Sequence, residues 1–217
     1  MKTVRILSWV VVLLAFVAGV LVYPRLPDLV ASHWNELGQV DGTMTRLWGV
    51  LLVPLMMMGM VLLFLAIPFI DPLKHNIAAF RPQYDRFVVL IMVFMLAVHV
   101  FTLLWNLGIQ ISINRFMPLA MGLVFFSAGD LIRNAKRNFF VGIRTPWTLS
   151  NDVVWAKTHR LGAVLFQISG VLAALGALFE NFSIWFILAP VTAAGLIPTV
   201  YSYFEFRRLE RATPPGA

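Results

Sequence analysis

The side chains that could do chemistry in this chain lie mainly in two polar stretches between long apolar runs. The first stretch, 24–46, holds an imidazole, an indole, an amide and a carboxylate at close spacing: His33, Trp34, Asn35 and Asp41. The Asp41-Gly42 dipeptide favours a tight turn with positive φ, and Gly38 relieves the chain in a similar way. We therefore expect the stretch to fold back as a structured cap in which His33, Asn35 and Asp41 converge.

A metal ion is one interpretation of that convergence. One imidazole, one carboxylate and one weak amide ligand fall short of the closed ligand sets that hold structural zinc. We therefore predict neither a metal site nor a cofactor, and assign the three side chains to a ligand-binding or partner-binding surface.

The second stretch, 133–160, is called the signature loop below. Its candidate binding residues are Asn138, Gly142, Arg144, Thr145, Pro146, Trp147, Trp155, His159 and Arg160. Arg144 is suited to the phosphate of a lipid head group, with a dedicated ligand as the alternative. We expect His159 to be hydrogen-bonded at the membrane interface, with a proton-linked or ligand-binding role as the alternative.

The signature loop also contains the start of a helix. Pro146 disfavours helical backbone at the residue before it, and Ser150 or Asn151 can cap a helix that begins near Asp152. We predict that this helix continues into the next apolar run without a break. Trp155 and His159 would then share one helical face, with the indole buried and the imidazole near water.

The elements that must position these residues are transmembrane helices. Of the 217 residues, 60% are hydrophobic and 12% are charged, whereas about a quarter is charged in a soluble domain. Six apolar runs are long enough to cross the bilayer as helices: Ile6–Tyr23, Leu47–Ile70, Phe87–Leu107, Phe116–Ile132, Leu161–Phe179 and Phe182–Phe206. The predicted fold class is therefore an all-α polytopic membrane bundle, in which small residues of the fifth run, such as Gly170 and Ala174, allow close helix packing.

The distribution of positive charge predicts the orientation. Counted along six alternating spans, 14 of the 17 Lys and Arg residues fall on the side that holds both termini and the signature loop. The positive-inside rule places that side in the cytoplasm, in a multi-pass plasma membrane protein with the 24–46 stretch outside. Retention of these loops explains the net charge of +7, so we predict contacts with membrane lipids and none with nucleic acid. The tail Ala212–Ala217 is expected to be disordered.

One ionisable side chain, His99, falls near the middle of the third run. Ionisable groups at that depth are costly and face the bundle interior. We expect a neutral imidazole hydrogen-bonded to a neighbouring helix, with proton relay or ligand binding as the alternative. A proton-coupled transporter would need a buried carboxylate, and the apolar runs have none at mid-span.

Two regions resemble a known family. The stretch Asn138–Arg160, with its Gly142-Ile143-Arg144-Thr145-Pro146-Trp147 core, resembles the signature of the SdpI family of bacterial membrane immunity proteins. The outside stretch, with Pro27, His33-Trp34-Asn35, Gly38 and Asp41-Gly42, is similar to an uncharacterised amino-terminal domain that is often joined to that family. The composition indicates one membrane domain, 1–217. Within it the resemblance implies an amino-terminal hairpin, 1–70, and an SdpI-like region, 116–206.

The same resemblance implies a function. An SdpI-like protein would protect its producer from a secreted peptide toxin, and would capture a cytoplasmic transcriptional repressor at the membrane. The first alternative is a small proton-linked transporter or channel-like protein, motivated by His99 and by prolines inside the second and sixth spans. We do not expect an enzyme, because His33 and His159 would lie on opposite membrane faces and no activated nucleophile accompanies them.

Overall fold

The computed structural model describes residues 2–212, so the predicted disorder of the tail beyond Ala212 lies outside the described residues. Six long helices form the bundle: α1 (Lys2–Val22), α2 (Arg46–Ile70), α4 (Arg81–Asn106), α5 (Ile113–Asn134), α7 (Asp152–Gly176) and α8 (Ser183–Ala212). Two short helices, α3 (Lys74–Ala79) and α6 (Pro146–Ser150), lie between them, and 3-10 turns occupy Tyr23–Arg25 and Glu180–Phe182. All six long helices are apolar enough to cross a membrane, which confirms the predicted number of spans.

Several helices extend beyond the apolar runs that predicted them. Helix α4 begins at Arg81 instead of Phe87, and α7 begins at Asp152 instead of Leu161. The continuous α7 confirms that the capped helix runs into the fifth span. Polar residues prolong these helices past the hydrocarbon because the backbone hydrogen-bond ladder continues into the interface.

The 24–46 stretch contains an antiparallel β-hairpin, formed by β1 (Leu29–Trp34) and β2 (Val40–Thr45). Its turn lies at Asn35–Gly38, where the Asn35 Oδ1 accepts hydrogen bonds from the backbone N–H of Leu37 and of Gln39, and Gly38 has a φ of 76°. The turn predicted at Asp41-Gly42 is therefore wrong. The Asn35 side chain organises the chain reversal, which occurs before β2 begins. Gly42 itself lies within β2, opposite His33, where the register of the two strands is irregular.

The hairpin and the signature loop lie at opposite ends of the bundle, called the hairpin end and the loop end below. At the hairpin end, β1 contacts the last residue of α4, and the turn contacts the first turn of α5. At the loop end, the signature loop contacts the segment that joins α2 to α3.

The bundle consists of two halves. The amino-terminal half is α1, α2 and α4, packed around a core that includes Val11, Ala15, Met57 and Met92. The carboxy-terminal half is α5, α7 and α8, and its closest contact is between α5 and α7. There a Cβ added to Gly170 would lie 2.6 Å from the carbonyl oxygen of Gly122. The predicted close packing of the fifth span is thus found against α5.

Candidate functional site

A cleft of about 660 Å³ lies at the hairpin end, between the two halves of the bundle. Helices α2 and α4 form one side, α5 and α8 form the other, and the hairpin covers it. Four residues predicted from the sequence line this cleft: His33, Trp34, Asn35 and Asp41. The other walls are mainly apolar and rich in aromatic and methionine side chains: Met44, Trp48, Leu52, Phe101, Met117 and Met121.

Side chains of α4 and α5 hold the hairpin in place. The Asn106 side chain accepts a hydrogen bond from the backbone N–H of Ala31 (2.7 Å) and donates one to the Ala31 carbonyl (3.1 Å). It therefore pairs with backbone hydrogen-bonding groups at the outer edge of β1, as a neighbouring strand would. The Asn114 amide donates to the carbonyl of Glu36 at 3.0 Å. The cover of the cleft is thus fixed to both halves of the bundle.

His33 and Asp41 contact each other in the cleft, with Nδ1 and Oδ1 2.5 Å apart. Asn35 does not join them, because its Oδ1 serves the turn and its amide nitrogen contacts the Gln39 side chain. The predicted convergence of three side chains is therefore reduced to two. A turn amide whose oxygen already accepts two backbone hydrogen bonds is not available as a ligand.

Trp34 belongs to an aromatic cluster at the base of the hairpin. Its ring packs edge-on against Phe101 and Trp105, with centroids 5.4 Å away in each case, and Phe101 stacks on Phe116 at 4.8 Å. The indole Nε1 is buried and has no hydrogen-bond partner within residues 2–212. The enclosed N–H is not exposed, so Trp34 contributes ring surface to the wall of the cleft.

His99 is fully buried in the amino-terminal half. Its ring lies beside α1, where a Cβ added to Gly19 would be 3.6 Å from Nε2. Neither ring nitrogen has a hydrogen bond of normal geometry in the described part of the chain, although the Ala15 carbonyl lies near enough to interact with the ring. The Ala15 carbonyl of α1 is thus the partner nearest to the expected interhelical hydrogen bond, and His99 is not among the residues that line the cleft.

At the loop end, Asn138 organises the signature loop. Its side chain is fully buried; Oδ1 accepts from the N–H of Phe140 and Val141, and Nδ2 donates to the carbonyls of Lys136 and Val141. With four hydrogen bonds to backbone, the amide has no capacity left for a ligand. Asn138 therefore stabilises the backbone conformation of the signature loop.

His159 lies beneath the same loop. Nε2 accepts a hydrogen bond from the N–H of Ile143 at 3.0 Å, so Nδ1 carries the proton and donates to the Trp155 carbonyl at 2.8 Å. The imidazole stacks on the Trp155 ring at 3.9 Å and is 1% exposed. The prediction that the imidazole lies near water is wrong, because the loop folds over it. The indole is buried as expected, and its Nε1 donates to the Ala135 carbonyl.

Gly142 makes this cover possible. It has a φ of 114°, a conformation that side chains rarely adopt, and a Cβ at this position would overlap the His159 Nε2. Glycine is therefore required here both by backbone conformation and by the lack of space.

Thr145, Pro146 and Trp147 begin the short helix α6. Thr145 caps the helix through a reciprocal pair of hydrogen bonds with Thr148, and its Oγ1 lies 3.0 Å from the Ser202 hydroxyl of α8. Trp147 packs edge-on against Tyr203 of α8. The cap of the following helix is Asn151, whose Oδ1 accepts from the N–H of Val153 and Val154. These contacts fasten the signature loop to α8.

Arg144 and Arg160 are the candidate residues of the signature loop that remain exposed and charged. Arg144 donates to the Phe139 carbonyl at 2.8 Å, and Phe139 itself is exposed. The structure thus separates the predicted loop residues into a buried set that builds the loop and an exposed set that is free to contact lipid or a partner.

Three buried carboxylates at the loop end were not identified from the sequence, and one of them, Asp85, pairs with Arg81 at the start of α4. Asp71 is 1% exposed and accepts hydrogen bonds from the N–H of Leu73 (2.6 Å) and of Phe139 (2.9 Å). Glu205 of α8 is also buried and pairs with Lys157 and Arg208. A single carboxylate directly after an apolar run, as at Asp71, is the sequence signal that could have been used.

Comparisons with known proteins agree with this arrangement. Residues 134–202 match the SdpI/YfhL protein family, and residues 10–58 match a domain of unknown function, DUF1648. The chain is 24% identical over 206 residues to the immunity protein SdpI of Bacillus subtilis (strain 168). The aligned region covers 94% of this chain and 97% of that protein. The resemblance to the SdpI family is thereby confirmed. No solved structure gives a significant match.

The SdpI match extends from the last residue of α5 into α8. It thus contains residues 134–160 of the signature loop, the whole of α7 and the part of α8 that contacts the loop through Ser202. The DUF1648 match covers most of α1, the hairpin and the first half of α2. Together with the six spans, the similarity to SdpI indicates a multi-pass plasma membrane protein related to membrane immunity proteins.

Proposed function

We propose that this protein is a membrane immunity protein that binds and neutralises a membrane-active peptide toxin in the cleft at the hairpin end. The observation that carries the proposal is the cleft itself. The region that matches DUF1648 contributes the hairpin and the α2 wall, and the region that matches SdpI contributes the α8 wall. Its volume of about 660 Å³ falls within the range of ligand-binding cavities. In this proposal the two matched regions act as one membrane domain.

The composition of the cleft suits an apolar peptide. Methionine side chains adapt to irregular partners, and aromatic rings give large contact areas at low entropic cost. Trp48 is 52% exposed and lines the cleft on α2, so the walls are accessible from the surface of the bundle. An occupant would bury this surface and gain free energy from it.

The charge distribution supports an orientation for this binding. We place the hairpin end outside the cell and the loop end, with both termini, in the cytoplasm, because the loop end carries most Lys and Arg residues. A secreted toxin then reaches the cleft from the outside or from the outer leaflet, without crossing the membrane.

The loop end would signal in the same scheme. Asp71 and Asn76 connect the amino-terminal half to the signature loop through hydrogen bonds to the backbone of Phe139 and Arg137. A displacement of α2 by a ligand in the cleft would therefore reach the loop. The exposed Arg144 and Phe139 would contact anionic lipid or a cytoplasmic partner, with a transcriptional repressor as the partner that SdpI resemblance suggests.

Filling the cleft tests the proposal. Thr102 lines the cleft, whereas Thr199 is outside it; both donate to the carbonyl four residues earlier in a membrane-spanning helix. Thr102→Phe and Thr199→Phe would be expressed in a host that is sensitive to the secreted peptide toxin of an SdpI-family producer. We expect Thr102→Phe to lose protection at an unchanged membrane level, and Thr199→Phe to protect like the parent. Full protection by Thr102→Phe would refute the proposal.

His99 favours one second candidate, a proton-linked transporter, because its imidazole is fully buried in a membrane-spanning helix and no side chain within residues 2–212 pairs with it. Proteoliposomes that contain a pH-sensitive dye would separate this function from immunity. A transporter would collapse an imposed pH gradient, and His99→Gln would abolish the collapse. An immunity protein that acts by binding would leave the gradient unchanged.

A further inference from the structure

The charges in the cleft are of one sign. Its lining contains two carboxylates, Glu36 and Asp41, and includes no lysine or arginine in the described part of the chain. His33 is the lining residue that can become positive, and it already contacts Asp41. The opening of an otherwise apolar cleft is therefore acidic.

The arginines of the hairpin end do not neutralise this acidity. Arg46 contacts Asp28 at 2.5 Å, and Arg115 contacts Glu180 at 2.6 Å, so two of the three are committed to other carboxylates. Arg25, the third, does not line the cleft. The Glu36 side chain has no ion pair within residues 2–212, and the contact of Glu36 with Asn114 uses the backbone carbonyl.

The contact between His33 and Asp41 can be replaced by a contact between Asp41 and another donor. The two side chains are 72% and 44% exposed, and ion pairs between exposed side chains contribute about 0–1 kcal/mol. The imidazole occupies Oδ1, so Oδ2 of Asp41 can accept a second donor. A cation that also buries apolar surface in the cleft would approach this carboxylate at little cost.

We infer that the cleft selects an apolar peptide segment that carries a positively charged side chain, and that Asp41 and Glu36 receive this charge. The inference rests on the proposed function, because it names the chemistry of the peptide that the same cleft binds. Both carboxylates are exposed at the opening, so each contributes a modest attraction to the cation while the apolar walls bind the rest of the peptide. The aromatic rings of Trp34 and Trp48 add attraction to a cation over their faces. A peptide with a carboxylate in the same position is repelled.

A pair of synthetic peptides tests the inference. Each is a fluorescently labelled apolar helix; one carries a single central lysine, and in the other that lysine is acetylated. Binding to the full-length protein is measured by fluorescence anisotropy in nanodiscs of phosphatidylcholine, which has no net charge and does not itself favour the cation. We expect the parent protein to bind the lysine peptide about tenfold more tightly than the acetylated one.

Charge-neutralising variants identify the acceptor. Asp41→Asn and Glu36→Gln should each reduce the preference, and the double variant should bind both peptides equally. Asp28→Asn is the matched control, because Asp28 is an exposed carboxylate of the same 24–46 stretch that pairs with Arg46 and does not line the cleft. It should keep the tenfold preference. Equal binding of both peptides by the parent, or an equal loss in Asp28→Asn, would overturn the inference.

The inference and the proposed function can fail separately. Thr102→Phe should abolish binding of both peptides if they occupy the cleft, and retained binding would place them elsewhere and refute the inference. If Thr102→Phe loses protection while Asp41→Asn and Glu36→Gln keep the peptide preference, immunity stands and charge selection falls. If the preference follows Asp41 but Thr102→Phe still protects, charge selection stands and the immunity site lies elsewhere.

Discussion

The backbone N–H of Ile143 donates a hydrogen bond to Nε2 of His159, 3.0 Å away. The other ring nitrogen donates to the Trp155 carbonyl within the same helix. Nε2 therefore joins the signature loop to α7, while Nδ1 fixes the ring within α7. The neutral tautomer with its proton on Nδ1 is the one that this geometry requires. The buried His159 therefore has a structural role in this chain: it holds the signature loop on α7.

Replacing Gly142 by alanine should break the hydrogen bond between the Ile143 N–H and His159. The new Cβ would meet Nε2 of His159 and would also require a positive φ. We expect Gly142→Ala to lower the free energy of unfolding by about 3 kcal/mol or more, from strained backbone and a lost hydrogen bond together. Thermal unfolding in detergent, followed by circular dichroism, measures the loss.

Gly108→Ala separates the two causes. Gly108 has a φ of 91°, and nothing lies within 4 Å of the Cβ that would be added. Its replacement therefore carries the backbone strain alone, about 1–2 kcal/mol. If Gly108→Ala and Gly142→Ala cost the same, the contact between the loop and His159 would not contribute to stability.

Much of this architecture could be predicted from the sequence, because membrane helices are determined by local composition. The apolar runs gave six helices, and Asn151 provided the cap that begins α7. The charge of the loops and the capping residues are local properties, and local properties are readable without knowing the packing.

The contacts between distant segments could not be predicted in the same way. His159 lies on the face of Trp155 as expected, but its burial depends on how the loop folds over it, which in turn depends on Gly142. The cleft between the halves is likewise a result of packing. Asp41 was identified as a candidate, yet its partner was determined by the register of the hairpin and by the turn at Asn35.

Asp71 provides a second prediction. Its carboxylate accepts hydrogen bonds from Leu73 and from Phe139, which is 68 positions away in the chain. Asp71→Ala leaves both N–H groups without these acceptors, so we expect a loss of about 2–3 kcal/mol in unfolding free energy. Hydrogen exchange at the Phe139 amide should become faster.

The control for Asp71 is Asp130→Ala. Asp130 is a partly exposed carboxylate that contacts Arg86 at 3.5 Å. Exposed pairs of this kind contribute little, so this variant should lose less than about 1 kcal/mol and leave exchange at Phe139 unchanged. Equal exchange rates in Asp71→Ala and in the parent protein would show that Asp71 does not hold the signature loop.

Orientation can be measured with single cysteines, since the chain has no native cysteine and hence no background. Gln39→Cys lies in the exposed turn of the hairpin, and Lys136→Cys lies in the exposed part of the signature loop. In intact cells a membrane-impermeant maleimide should label position 39, and should label position 136 only after permeabilisation. Asn138 is unsuitable because it is fully buried. Labelling at 136 alone in intact cells would invert the proposed topology and place the cleft in the cytoplasm.

The contact between α5 and α7 leads to the last prediction. A Cβ on Gly170 would lie 2.6 Å from both the Gly122 carbonyl oxygen and the Phe126 nitrogen. Both are backbone atoms, so a methyl group can be accommodated only if the helices separate. Without a hydrophobic force between helices in lipid, close contact between backbones is a main source of their association. Gly170→Ala should therefore lower the unfolding free energy by about 2 kcal/mol or more.

Gly195→Ala, in α8, is the matched control, because nothing lies within 4 Å of its added Cβ. Alanine stabilises a helix relative to glycine by about 1 kcal/mol in water, so this variant should be as stable as the parent or slightly more stable. Steric trapping or thermal unfolding in the same detergent compares the two. Since α5 and α8 form the carboxy-terminal side of the cleft, Gly170→Ala should also weaken protection, whereas Gly195→Ala should not; equal stability of the two variants would mean that α5 and α7 do not depend on this backbone contact.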